Sequence, residues 1–133
     1  MKTDIDPPVV TDMGLAIVRE EIDGKLVWNS YLINNKQVPI EGVIVASKGY
    51  GLVGQEQKKT AMLRHYIDEL PAQSYRRIEP ILEELFGMFN EYWLTFFEGG
   101  KMYDRRFIFV PESISEQNFT EIPFMGTKGV LIL

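Results

Sequence analysis

The chain has 133 residues, of which 45% are hydrophobic and 12% aromatic, so it is long enough for one hydrophobic core and too short for two ordinary domains. Its formal net charge of -5 excludes nucleic-acid binding through a basic surface, and the absence of cysteine excludes disulfides and zinc–thiolate sites. The chain begins without the apolar run of a secretory signal and has no apolar stretch of about 18 residues. We therefore expect a single domain over residues 1–133, with no membrane span and a cytoplasmic location.

The first predicted elements form a three-stranded antiparallel meander. Two apolar runs within residues 15–33 flank Asp23-Gly24, which is a strong signal for a two-residue hairpin loop. This loop sets Val18 opposite Asn29. A third run, over about residues 40–47, completes the predicted meander.

Two helices are predicted next. The first covers about residues 55–70 and ends before Pro71, and its apolar stripe contains Leu63, Tyr66, Ile67 and Leu70. The second begins near Ser74, and Pro80 either kinks it or lies in the first turn of a shorter helix. Its apolar face contains Ile78, Ile81, Leu82, Leu85 and Phe89.

A second hairpin is predicted from two runs rich in aromatic and branched residues, 91–98 and 101–110, which are separated by Gly99-Gly100. Its register sets Phe96 opposite Tyr103 on one face and Trp93 opposite Arg106 on the other. Neither face is plainly polar. We therefore expect both faces of this hairpin to be covered.

The two ends of the chain are predicted to differ. Residues 1–12 carry charges and Pro7-Pro8 and should form a loose arm. Residues 111–133 contain apolar anchors without periodicity and should form a strap over the body. The apolar end, Gly129 to Leu133, should dock as an edge strand or in an interface.

Together these elements predict an α+β fold. The expected architecture is an antiparallel sheet of about five strands with both helices on one face. In this arrangement the hairpin face that carries Leu94, Phe96, Phe107 and Phe109 shares a core with residues of the two helices.

Residues 49–54 have the glycine spacing of a dinucleotide fingerprint and lie between a predicted strand and a predicted helix. The rest of a dinucleotide-binding unit is missing, because a second helix follows where a parallel strand is needed. A simpler site for an anion or a nucleotide phosphate remains, and a glycine-rich connection without a ligand is the alternative. The residues of this candidate site are Gly49, Gly51, Gly54, Lys58 and Lys59, within the segment 47–59.

His65 is the single histidine of the chain. On a helix it would lie near Asp68 and Glu69, which could orient it for acid–base catalysis or for metal binding. An ordinary surface ion pair is the favoured interpretation. We therefore assign no catalytic residue, no metal site and no cofactor.

The second face of the 91–110 hairpin has the composition of a protein–protein interface, because aromatic, methionine and arginine side chains alternate with polar ones. Its candidate residues are Trp93, Phe97, Met102, Arg106 and Ile108. Arg106 could stack on Trp93 as a cation–π pair. Either the C-terminal strap or another chain is expected to cover this face.

Four short motifs give the chain a resemblance to known proteins. They are Ile78-Glu-Pro-Ile, Leu85-Phe-Gly, Asn90-Glu-Tyr-Trp and Gly129-Val-Leu-Ile. With them the chain resembles a group of small bacterial proteins of uncharacterised function, and the resemblance implies no activity. Separately, the order of predicted elements in an acidic chain of this size is similar to the architecture of small dimeric secretion chaperones, without their N-terminal helix.

The sequence thus predicts a non-catalytic domain that binds a protein partner or a second copy of itself. An anion or phosphate-binding domain that uses residues 47–59 is the alternative from a different class, followed by a secretion-chaperone-like protein and by an acid–base enzyme that uses His65. No nucleic acid or membrane partner is expected.

Overall fold

The structure is a computed structural model that describes residues 10–133, and this part of the chain forms two antiparallel sheets that pack against each other. The strands are β1 (Met13–Ile22), β2 (Lys25–Asn34), β3 (Ile40–Val53), β4 (Glu56–Lys59), β5 (Leu63–Leu70), β6 (Ser74–Pro80), β7 (Phe89–Glu98), β8 (Lys101–Phe109), β9 (Thr120–Glu121) and β10 (Lys128–Ile132). Short 3₁₀ turns occupy Glu83–Leu85 and Glu116–Asn118.

The first sheet has the strand order β6-β2-β1-β10-β9. In the second sheet, β3 pairs with β7 along one edge, and β7 pairs with β8. The other edge of β3 is shared, because β5 pairs with residues 40–47 and β4 pairs with residues 50–53. One buried cluster contains residues of both sheets, including Leu15 and Leu32 from the first and Val45 and Leu94 from the second.

The predicted α+β class is wrong, because residues 10–133 contain no α-helix. Residues 55–70 form β4 and β5 instead of a helix. The second predicted helix is replaced by β6, a 3₁₀ turn and the start of β7. The likeness to the helix-containing secretion-chaperone architecture is lost with these helices.

The helical spacing in residues 63–70 has a different origin. Gly42 in β3 adopts a left-handed φ of 54°, and the register between β3 and β7 shifts at this point. The buried side of β3 changes there, so that Ile40 and Val43 are both buried. Their partners in β5 are Leu70 and Ile67, which are therefore also buried three positions apart. Such spacing imitates one turn of a helix, although the backbone is extended.

Pro80 explains why the second predicted helix does not form. Proline has no N–H to donate and disfavours helical backbone in the residue before it, so that Glu79 is driven towards an extended conformation. Glu79 and Pro80 end β6, where Pro80 lies opposite Asn29 of β2. At this sheet edge proline is tolerated, because β6 has β2 as a neighbour on one side only.

Both predicted hairpins are confirmed, including their registers. Asp23 and Gly24 form the loop between β1 and β2, and Val18 lies opposite Asn29. In the second hairpin Trp93 lies opposite Arg106. The loop residues have positive φ, as a two-residue hairpin loop requires.

The predicted meander is wrong in one respect. Residues 40–47 do form a strand, but β3 belongs to the second sheet and does not pair with β2. Asn34, at the end of β2, is buried, and its side-chain amide donates hydrogen bonds to the carbonyls of Val38, Leu70 and Pro71. These bonds hold the chain where it crosses from one sheet to the other.

The C-terminal segment lies on the first sheet. Its strand β10 is inserted between β1 and β9, with Leu15 opposite Ile132. The prediction of an edge strand is therefore wrong, since β10 has a neighbour on each side. Before β10, the Phe119 ring packs edge-on against Trp28, with ring centroids 5.9 Å apart. Of the predicted loose arm, residues 1–9 lie outside the described residues, and Val10 packs partly buried against the core.

The predicted core of the second hairpin is confirmed in part. The four side chains predicted to share its core face are all buried: Leu94, Phe96, Phe107 and Phe109. Of the residues assigned to helices, Ile67 is buried beside them and Leu85 packs partly buried against the core, whereas Leu63 and Leu82 are exposed. In residues 10–133 no helix is long and apolar enough to cross a bilayer.

Candidate functional site

The side of the second sheet that faces away from the core carries exposed apolar side chains on four adjacent strands. We call this surface the outer face. Cross-strand partners share a face, so the pairs Ile44 with Tyr66, Trp93 with Arg106 and Phe97 with Met102 place these residues together. The apolar members are between 37% and 67% exposed: Ile44, Tyr66, Trp93, Phe97, Met102 and Ile108.

Trp93 lies at the centre of the outer face, in a small electrostatic network. The guanidinium of Arg106 lies 4.6 Å from the Trp93 ring centroid, which confirms the predicted cation–π pair. Arg106 Nε is 3.7 Å from a carboxylate oxygen of Glu91, and that carboxylate also accepts a hydrogen bond from the Tyr50 hydroxyl. Partial burial, followed by the charge of Glu91, raises the pKa of Tyr50. Arg106 therefore covers part of the Trp93 ring and is itself in contact with the buried Glu91.

At the other end of the outer face, Phe97 lies against the backbone of β3. A Cβ atom added at Gly42 would be 3.2 Å from Cδ2 of Phe97, so the ring occupies the space that a side chain would need. Met102 lies opposite Phe97 in β8 and is more exposed. The outer face thus has one aromatic ring close to the backbone of β3 and a flexible thioether beside it.

The C-terminal strap does not cover the outer face. Its strands β10 and β9 belong to the first sheet, in which β10 pairs with β1 and β9 pairs with β10. Of the two covers predicted for this face, only another chain remains as a candidate. The five predicted interface residues, Trp93, Phe97, Met102, Arg106 and Ile108, are all exposed.

The glycine segment is not a phosphate-binding loop before a helix. Gly49 and Gly51 lie within β3, and Gly54 forms the turn into β4 with a φ of 66°. The Gly49 N–H donates to the hydroxyl of Thr60, and Gly51 pairs with Lys58. Lys58 and Lys59 are exposed on β4. Since an extended hairpin replaces the helix, the helix N-terminus on which the anion-site hypothesis depended is absent.

The surroundings of His65 also differ from the prediction. Its Nε2 atom lies 2.7 Å from Oε1 of Glu79, and no ion pair joins it to Asp68 or Glu69 in the described structure. The same oxygen of Glu79 accepts a hydrogen bond from Ser47, while Tyr92 donates to the other oxygen. No group of three potential metal-ligating side chains occurs within residues 10–133.

Sequence reasoning missed this cluster because its members come from four different strands. Glu79 was assigned to the solvated face of a helix, yet its side chain is only 13% exposed. Pro80 favours extended backbone at Glu79, but alternation along a regular strand would place Glu79 on the solvent side, opposite the buried Ile78. The register between β2 and β6 shifts at this point, and both side chains are largely buried. No local sequence pattern indicates the contact between Glu79 and His65, because β6 and β5 belong to different sheets.

The chain matches no protein-family model and no curated protein. Its function is therefore inferred from the geometry of the outer face and of the Glu79 cluster.

Proposed function

We propose that this protein is a non-catalytic interaction domain whose outer face binds a second copy of the same chain. The observation that carries the proposal is the continuous row of exposed apolar side chains across β5, β3, β7 and β8, with Trp93 at its centre. Contiguous apolar surface of this kind on a monomer marks interaction sites. Trp, Tyr, Met and Arg, which are enriched in interfaces, are all present in it.

The charges of the outer face favour a second copy as the partner. Arg106 and Lys48 are basic, whereas Asp104, two positions before Arg106 in β8, is acidic and exposed. In a two-fold symmetric contact the same patch meets itself, so that basic groups of one copy can face acidic groups of the other. This local balance matters because each chain carries a net charge of -5 and two copies repel each other elsewhere.

The expected affinity is modest. Full burial of Trp93, Phe97, Met102 and Ile108 would contribute about 1.5–3 kcal/mol each. These side chains are already about half buried, so association gains only about half of that amount. Association itself costs about 4–15 kcal/mol in lost translational and rotational freedom. Because this gain is no larger than the cost, we expect weak association that needs high protein concentration and contributions from the rest of the outer face.

Sedimentation equilibrium over about 10–500 μM tests this proposal. The average mass of the wild-type protein should rise from 15.4 kDa towards twice that value as concentration increases. Trp93→Glu should remain folded and stay at the mass of one chain, since it places a charge in the contact and spares the core. Leu26→Glu is the matched control: Leu26 is 69% exposed and lies on β2 in the first sheet, so this variant should dimerise like the wild type.

A wild-type mass of one chain across the whole range would overturn the homodimer. Equal dissociation by Leu26→Glu and Trp93→Glu would show that net charge, rather than the outer face, controls association.

The proposal places the domain in the cytoplasm, and a fold without cysteine is compatible with that reducing compartment.

A further inference from the structure

A cavity of about 440 Å³ lies on the opposite side of the second sheet from the outer face. It is bounded by β3 and β7, by the segment between β4 and β5, and by the residues that follow β6. Its volume falls in the range of about 300–1,000 Å³ that is typical of small-molecule sites. The cavity shares no residue with the predicted interface.

Most of the cavity wall is apolar. Ile81 and Leu85 line its interior, and Ala61 lines the side formed by the segment between β4 and β5. Leu63 and Leu82, which also line it, are 54% and 61% exposed and therefore lie at its opening. A wall of this kind favours a ligand with an apolar body, since burial of apolar surface stabilises the complex.

One end of the cavity is polar and carries a carboxylate. Lys48 also lines the cavity, but its ammonium group lies over the Tyr50 ring, 5.6 Å from the ring centroid. Glu79 Oε1 accepts hydrogen bonds from Ser47 Oγ at 2.9 Å and interacts with His65 Nε2 at 2.7 Å. Glu79 Oε2 has a single protein donor in the described structure, the hydroxyl of Tyr92 at 3.3 Å. An ionised carboxylate has about four lone-pair sites, so Oε2 retains acceptor capacity.

The order of these contacts does not match a nucleophilic triad. In a serine triad the histidine lies between the hydroxyl and the acid and takes the proton of the hydroxyl. Here Ser47 and His65 both contact the carboxylate of Glu79. The cluster therefore fixes the position of the carboxylate, and the serine does not contact the histidine as it would in a triad.

We propose that this cavity binds a small organic amine with an apolar body, whose ammonium group donates a hydrogen bond to Oε2 of Glu79. The carboxylate attracts a cation and repels an anion, and hydrogen bonds to charged groups are stronger than neutral ones. The apolar wall accommodates the rest of the molecule. This inference does not rest on the dimer, because Lys48 is the single residue of the described structure that lines the cavity and is also assigned to the outer face.

Three probes with the same phenylethyl body test the inference: phenethylamine, 2-phenylethanol and 3-phenylpropionate. Each is titrated into the full-length protein and followed by amide chemical shifts in NMR spectra. We expect shifts at Ala61, Leu63 and Ile81, and we expect the amine to bind about 10-fold or more tightly than the alcohol. The carboxylate probe should bind most weakly.

Glu79→Gln should weaken binding of the amine by about 10-fold or more and change binding of the alcohol little. Glu69→Gln is the matched control, because Glu69 is exposed on β5 and does not line the cavity. If Glu79→Gln does not fold, Leu82→Trp is used instead to test whether the probes bind in the cavity. It alters an exposed residue at the opening and should not affect folding. This second variant should weaken binding of the amine and the alcohol alike.

Several results would overturn the inference. One is the absence of shifts with all three probes at about 10 mM, a concentration that reveals very weak binding. Others are equal affinity for the amine and the carboxylate, shifts located away from the cavity, and unchanged amine binding in a folded Glu79→Gln variant. If that variant is unfolded, unchanged amine binding by Leu82→Trp overturns it.

Discussion

Phe96 and Phe97 are adjacent in β7 but have opposite environments. Phe96 is fully buried and stacks on Tyr103, with ring centroids 5.4 Å apart, whereas Phe97 is exposed on the outer face. Side chains alternate along a strand, so the register of the hairpin alone decides which ring enters the core. This pair therefore isolates the effect of burial from the effect of residue type.

Phe96→Ala should lower the free energy of unfolding by about 3–5 kcal/mol, because it removes buried contacts and leaves a cavity. Phe97→Ala serves as the control and should lower it by less than about 1.5 kcal/mol, since the ring is already half exposed. Urea denaturation, followed by far-UV circular dichroism at low protein concentration, measures both. Similar losses in the two variants would contradict the assigned faces.

Two tyrosines couple stability to pH. The Tyr31 hydroxyl donates to the carboxylate of Glu20 at 2.7–2.8 Å, and burial, then this hydrogen bond, raises the pKa of Tyr31 above its usual value. Burial, then the charge of Glu79, raises the pKa of Tyr92. The folded state thus holds both protons more tightly than the unfolded state. The resulting stabilisation is fully present below a pH of about 10 and is lost as the pH rises further.

The free energy of unfolding should therefore fall between pH values of about 10 and 12 more steeply in the wild type than in Tyr31→Phe. A double variant with Tyr92→Phe should flatten the profile further, and comparison of slopes removes the common contribution of lysines. Denaturant unfolding at several pH values gives these slopes. Parallel profiles in all three proteins would show that neither hydroxyl titrates differently on folding.

At the scale of single residues, the sequence predicted which hairpin residues share the outer face, but it assigned Tyr66 to a helix and failed for the cavity. Trp93 and Arg106 were placed opposite each other because a two-residue loop fixes the register by counting. Glu79, His65 and Ser47 meet through tertiary packing of separate strands. No spacing rule connects such residues, and the missed strands β5 and β6 removed the correct context.

Among the elements, those bounded by turn residues were predictable, and those bounded by weaker signals were not. Asp23-Gly24 and Gly99-Gly100 identified four strands together with their pairing. Between residues 55 and 89 the charged and apolar residues alternate less regularly, and the change of buried side at Gly42 imposes helical spacing on β5. Local periodicity cannot separate a kinked strand from a short helix.

Substitution of Gly129 tests the packing of a whole element, because β10 can lie close to β1 only where this position has no side chain. A Cβ atom at this position would lie 2.6 Å from the carbonyl oxygen of Ile17, a backbone atom that cannot move independently. Gly129→Ala should therefore push β10 away and lower the free energy of unfolding by about 1–3 kcal/mol. Faster hydrogen exchange is expected at the amides of β1 that pair with β10.

Gly87→Ala provides the control for this substitution. A Cβ atom at Gly87 would be 3.4 Å from the Glu112 carboxylate oxygen, which is at the limit of an ordinary contact with a flexible side chain. Its stability should change by less than about 0.5 kcal/mol. An equally stable Gly129→Ala protein with unchanged exchange in β1 would contradict the close packing of β10.

For the molecule as a whole, both sheets are built from strands that are distant in sequence. β2 pairs with β6, and β3 pairs with β7, so each sheet requires the ordering of long intervening segments. Loop-closure entropy must be lost before such pairings stabilise the chain. Slow folding is the expected kinetic result.

Refolding from urea should take from milliseconds to seconds, as in other all-β domains with non-local pairing. Stopped-flow fluorescence measures this rate, because Trp28 is buried between the first sheet and the Phe86 and Phe119 rings. Double-jump experiments with a brief unfolding step separate any proline-limited phase. Refolding completed within about 0.1 ms would contradict a rate set by non-local strand pairing.

The insertion of β10 between β1 and β9 has a consequence for synthesis of the chain on the ribosome. All strands of the second sheet have been made by residue 109, whereas one edge of β1 has no partner until residues 128–132 leave the exit tunnel. An open strand edge can pair with other chains. A translation product released between residues 121 and 128 would therefore carry a complete second sheet and an open first sheet, and we expect it to aggregate.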